Sequence, residues 1–170
     1  QFNDFIVNGV NFFRVNTIAN EEKDICNKIK YVITLDSDTN LVLDSAQELI
    51  GAMAHILNKP VLNHKQDLVI DGHALIQPRV GISLLDVQKS YFTKLYAGSG
   101  GKDAYTNAIS DIYQDNFEEG IFTGKGIYDL QIFSTVLTNE IPQNTVLSHD
   151  LLEGSYLRCG LATDIMLLDG

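Results

Sequence analysis

Two aspartates one residue apart, Asp36 and Asp38, close the run Tyr31-Val-Ile-Thr-Leu-Asp36-Ser-Asp38-Thr39, and no other pair in the chain is better suited to chemistry. Carboxylates that close repel each other, and a bound divalent cation is the usual relief. The apolar residues ahead of them read as a strand buried on both faces. Ligands of open α/β sheets bind beyond the carboxyl ends of the strands, so this pattern points to Mg2+ or Mn2+ holding something phosphorylated. The same residues also read as a strand entering an acidic turn, with Asp44 capping the next helix.

A second candidate is Ile121-Phe-Thr-Gly-Lys-Gly-Ile-Tyr128. Glycine at alternate positions of a strand-like run lets a ligand or another backbone approach closely, and Lys125 is the one cation within it. A plain hairpin turn is the alternative. Ser148-His149-Asp150 holds the residue types of a protease triad, but adjacent residues cannot form that relay. His55 and His64 are read as solvent-facing or capping residues.

The elements that must position these groups follow from periodicity. Residues 44–57 read as a helix with Leu49, Ile50, Met53, Ile56 and Leu57 as its apolar stripe, capped by Asp44 and stopped by Asn58-Lys-Pro60. Residues 62–71 read as a polar connection with a short strand at 68–70. Residues 74–83 read as a second buried strand, where Pro78 demands an edge or a bulge. Helices are expected over 20–28, 87–96, 103–116, 129–137 (capped by Asp129) and 151–158, a glycine-rich loop at 97–101, a turn at 141–144 and a last apolar strand at 162–168. The loop at 97–101 is no phosphate-binding P-loop, because no G-K-[ST] closes it. Helices alternate with strands, so the fold class is α/β.

Composition narrows the partners. The chain has 170 residues, 45% of them hydrophobic and 20% charged, enough for one domain with a real core. A formal net charge of −10 argues against a nucleic-acid or anionic-membrane partner, while a nucleotide remains compatible if a metal carries the positive charge. Cys26 and Cys159 are far apart and match no metal spacing, so buried free thiols are expected. No apolar run approaches a membrane span.

Taken in order, strand–D-S-D (35–38), Q-P-R-V (77–80), F-T-G-K-G-I-Y (122–128), L-S-H-D-L-L-E-G (147–154) and R-C-G-L (158–161) resemble the glycosyltransferase domain of cyclic β-1,2-glucan synthases, family 84 of the glycosyltransferases. More distantly they are similar to the processive family 2 enzymes. The resemblance covers roughly residues 31–169. It implies a GT-A-like, Rossmann-like mixed sheet flanked by helices, and an inverting transfer of glucose from UDP-glucose to a β-1,2-glucan acceptor. By the same resemblance Asp36, Asp38, Gln77 and Arg79 would bind the nucleotide, Asp38 would ligate Mg2+ or Mn2+, and Asp150 would be the general base. Gly124, Lys125, Gly126, Tyr128 and His149 would line the acceptor site. His149 stands where family 2 has the Glu of its T-E-D motif.

Residues 1–30 do not resemble the family's first nucleotide-binding strand, and the chain ends before its R-W-type motif. The expectation is therefore one core domain over 1–170, truncated at both ends. It would be the cytoplasmic domain of an inner-membrane protein, with no membrane contact and no nucleic acid of its own. Two rival readings stand beside this one. The run to Thr39 also fits the DxDxT opening of haloacid-dehalogenase phosphatases, with Asp36 as nucleophile and Asp38 as general acid. A non-catalytic remnant domain is the other.

Overall fold

A computed structural model of the chain describes residues 29–82, 108–138, 140 and 149–169. The elements expected at 20–28, 87–96, 97–101 and 141–144 lie outside them, and the helix expected over 103–116 lies partly outside. The described residues build a mixed sheet with helices on both faces, the α/β class that the alternation of patterns implies.

The sheet has the order β1-β6-β5-β7-β2. Strand β1 (Tyr31–Thr34) lies antiparallel to β6 (Gly126–Asp129), with Thr34 opposite Gly126. Strand β6 lies antiparallel to β5 (Leu75–Ile82), and β5 parallel to β7 (Cys159–Asp169). Strand β2 (Thr39–Leu41) closes the other edge, antiparallel to β7, with Thr39 opposite Asp169. Strands β1, β5 and β7 therefore share one direction. The short connection 35–38 joins the two edge strands, and the Thr39 N–H donates to Asp36 O to make it a tight turn. A flat sheet cannot be bridged so briefly, so the sheet curls and brings the ends of β1 and β7 together.

Pro78 sits in a central strand and breaks its pairing there. Pro78 lies opposite Ala162 but Arg79 lies opposite Met166, so β7 bulges over Thr163, Asp164 and Ile165. Without an N–H proline cannot continue a ladder, and the bulge that its position demands is what forms.

Alternation along β5 and β6 feeds two cores. Leu75 and Tyr128 face one side, with Phe122, Leu130, Val136 and Leu157. That side is covered by α3 (Leu130–Leu137) and α4 (Asp150–Leu157). Ile76 and Ile127 face the other, against Leu49 and Met53 of α1 (Ser45–Ala54) and Ile165. Each such fully buried side chain contributes about 1.5–3 kcal/mol. The N-terminal part of β7 is covered by α2 (Ala108–Phe117). The Gln114 amide accepts from Leu161 N–H and donates to Leu161 O, 3.0 Å, pairing with the strand edge as a neighbouring strand would.

Three local expectations change. Asp44 does not cap α1: it sits in the left-handed region (φ 68) and makes no side-chain cap bond. Helix α1 stops at Ala54, because His55 is extended and starts a 3-10 turn, Ile56–Asn58, while Asn58 Nδ2 takes the Ala52 carbonyl at 2.9 Å. The apolar stripe ends with it, and Ile56 and Leu57 are each 80% exposed. The connection expected at 62–71 is a hairpin of β3 (Val61–Leu62) and β4 (Val69–Asp71). Asp129 does cap α3, accepting from the N–H groups of Gln131 and Ile132 at 3.1 Å each. Among the described residues no helix is long and apolar enough to cross a membrane.

Candidate functional site

The ends of β1 and β7 and the start of β6 meet on one ammonium. Lys125, just ahead of β6, puts Nζ 3.2 Å from Asp36 Oδ2 and 2.5 Å from Asp169 Oδ2. Asp169 Oδ1 also accepts from Thr39 Oγ1 at 2.6 Å, so four residues from three strand ends and one loop form a single polar chain. The Lys125 side chain is only 13% exposed. Burial pulls its pKa down, but hydrogen bonds to Asp169 and Asp36 outweigh that and hold it above the ordinary lysine value. Burial likewise opposes the charge of Asp169, and the hydrogen bonds from Lys125 and Thr39 win, holding its carboxyl below the usual range.

The preceding residue meets a different carboxylate. Gly124 has φ +90, a conformation that only glycine adopts without strain. A Cβ there would lie 3.3 Å from Asp150 Oδ2, so this backbone passes directly beneath that carboxylate. Asp150 is the first residue of α4, where unsatisfied N–H groups and the helix dipole favour negative charge. His149 occupies the cap position but makes no side-chain cap bond. One turn on, Glu153 is held above the usual carboxyl pKa by burial and then by the charge of Asp150, with His149 opposing. Adjacent loop residues, 124 and 125, thus face the two acidic groups that the sequence singles out.

The loop that carries them is fixed at both ends. Phe122 is buried at 4% exposure, and Gly154 of α4 packs against it so tightly that a Cβ on Gly154 would meet Phe122 Cβ at 3.1 Å. Gly126 runs against β5, where a Cβ would overlap Ile76 O at 2.3 Å. Between them Thr123 donates its N–H (3.0 Å) and its hydroxyl (3.2 Å) to Gln77 Oε1.

The remaining site candidates are distributed as follows. Asp38 is exposed in the 36–39 turn. Gln77 is fully buried, its Oε1 on Thr123 and its Nε2 on Pro78 O at 3.0 Å, so in this conformation its amide offers no surface to a nucleotide. Arg79 is half-buried on β5 just past the bulge. Tyr128 is 6% exposed in the core, its ring 4.4 Å from that of Phe133, and so is turned away from any acceptor. Gly126 serves the β5–β6 contact.

Asp169, Thr39 and Thr123 belong to the site and were not singled out by sequence. Asp169 carried a usable signal: like Asp36, it is an acid that ends an apolar strand.

Among the described residues no three His, Cys, Asp or Glu side chains gather into a metal cage. The groups here nevertheless fit Mg2+ or Mn2+: they are hard carboxylate oxygens, and such ions bind through one or two carboxylates plus a ligand's phosphates. Asp38, not engaged by Lys125, is the residue that would hold one.

No model of a known protein family matches the chain. The chain is 46% identical over 142 residues to the cyclic beta-(1,2)-glucan synthase NdvB of Rhizobium meliloti (strain 1021), a match that covers 83% of this chain and 5% of that protein.

Proposed function

The chain is homologous to one segment of a cyclic β-(1,2)-glucan synthase, and on that premise we propose that it is the core of an inverting glycosyltransferase, moving glucose from UDP-glucose onto a glucan acceptor. The observation that carries this reading is the shared loop: Gly124 lies beneath Asp150 while Lys125 is bonded to Asp36. A transfer by single displacement needs a base on one side of the reacting sugar and a charge-holding nucleotide site on the other, at fixed spacing.

In this reading the fold is GT-A-like, and the nucleotide lies beyond the carboxyl ends of β1 and β7. Asp38 would hold Mg2+ or Mn2+, and the ion would supply positive charge to offset what gathers on the departing UDP. Lys125 presents a cation to the same end of the sheet. Asp150, the first residue of α4, takes the proton from the attacking hydroxyl of the acceptor. In the same reading Arg79 serves the nucleotide and His149 the acceptor side, the roles that the resemblance gives them. The acceptor enters over Gly124. The enzyme that contains this core is membrane-associated, with this segment on the cytoplasmic side.

Calorimetric titration with UDP, with and without Mn2+, tests the donor half. Binding that needs Mn2+ and is lost in Asp38→Ala supports the reading. Phosphatase activity against a phosphomonoester in the same preparation overturns it.

A further inference from the structure

We infer that Gln77 is a positioning residue, which sets the loop 122–126 so that Lys125 and Gly124 meet their two carboxylates at the same time. The inference rests on the glycosyltransferase reading for its catalytic consequence, but not for its structural one.

Gln77 is one of few buried polar side chains among the described residues, with no exposed surface. A buried amide is retained only where its groups are satisfied, and here each has a partner of different kind. Oε1 takes two donors from Thr123, while Nε2 holds the carbonyl of Pro78 at the point where β5 loses register with β7. One side chain therefore ties β5, where it faces the bulge of β7, to the loop in front of β6.

At the ends of that loop Phe122 is held by packing, and Gly126 by its close approach to Ile76 O and its pairing with Thr34 of β1. Thr123 bonds through both its N–H and its hydroxyl to β5 beneath the loop, and it immediately precedes Gly124 and Lys125. Removing the Gln77 amide leaves the Thr123 N–H without its acceptor and frees the next two residues to shift together. A displacement of about 1 Å between a base and a reacting atom costs roughly 100-fold in rate.

Gln77→Met keeps the volume and removes all three bonds of the amide. Thr123→Val removes only the hydroxyl bond, and Thr123→Ser is the conservative variant that retains both donors. In the full-length synthase, Gln77→Met is expected to lower kcat about 100-fold and to raise the donor KM, because the loop serves both ends of the site. Thr123→Val should do the same by about tenfold, the worth of one hydrogen bond, and Thr123→Ser should restore near-parent values. A residue that merely stabilises the fold would reduce the amount of active enzyme and leave KM where it was. In the 170-residue chain, the 13Cε–Hε resonance of Lys125 should stand apart from those of solvated lysines, and join them in Gln77→Met and Thr123→Val. If Gln77→Met does not fold, Thr123→Val decides. Folded variants with unchanged KM and an unchanged Lys125 resonance overturn the inference. An inactive parent synthase would overturn the glycosyltransferase reading instead, and the Lys125 resonance would still decide the role of Gln77.

Discussion

Lys125 and Asp36 are 89 positions apart in the chain, yet Nζ lies 3.2 Å from Oδ2, and the same ammonium is shared with Asp169 at 2.5 Å. The contact crosses from the end of β1 to the start of β6, its antiparallel neighbour, and fastens both to the end of β7. It is the closure of the curled sheet as well as the centre of the proposed donor side of the site.

Its stability has a defined pH window. The Asp169 pKa is lowered by folding, so its contribution is full above the unfolded carboxyl value and fades as pH falls through the folded one. The Lys125 pKa is raised, so its contribution is full below the unfolded lysine value and fades as pH rises through the folded one. The pair therefore stabilises the fold between about pH 4 and pH 10. Lys125→Met should cost about 1–2 kcal/mol at pH 7, with Asp36 largely solvated and Asp169 left without its cation. Urea denaturation at pH 7 and pH 3 checks this: the difference between parent and variant should shrink at the lower pH.

Gly124→Ala should fail on two counts. The φ of +90 strains any residue with a Cβ, and that Cβ would press on Asp150 at 3.3 Å. A destabilisation of about 1–3 kcal/mol is expected, read by thermal denaturation. Transfer activity should fall further than stability does, since the displaced carboxylate is the proposed base.

Asp150→Asn removes the base and keeps the shape. In the full-length synthase, transfer should fall by about 100-fold or more, while Mn2+-dependent UDP affinity measured by calorimetry stays at the parent value. Equal loss of both would place Asp150 in nucleotide binding instead.

Cys159 should be inert in the folded chain. Burial pushes its thiol pKa up to about 12, so almost no thiolate forms at pH 8. Alkylation followed by peptide mass spectrometry should leave Cys159 unmodified under native conditions and label it fully in denaturant.

The chain alone determined the features that depend on near neighbours. The apolar run ending at Asp36, the capping of α3 by Asp129, the break that Pro78 imposes and the glycine-rich approach at 122–126 are each set within a few residues. Local steric and hydrogen-bonding rules decide those. The order of the motifs was enough to show the kinship to glucan synthases. Tertiary structure decided which strand edges meet, and that set the rest. Pairing Thr34 with Gly126 and Thr39 with Asp169 is what carries Lys125 to two carboxylates. Burial beneath the loop is what turns the Gln77 amide onto Thr123, and packing against Phe133 is what takes Tyr128 into the core. The strand pairings and the Gln77–Thr123 bonds join residues tens of positions apart, and no local pattern records which partner the folded sheet will supply.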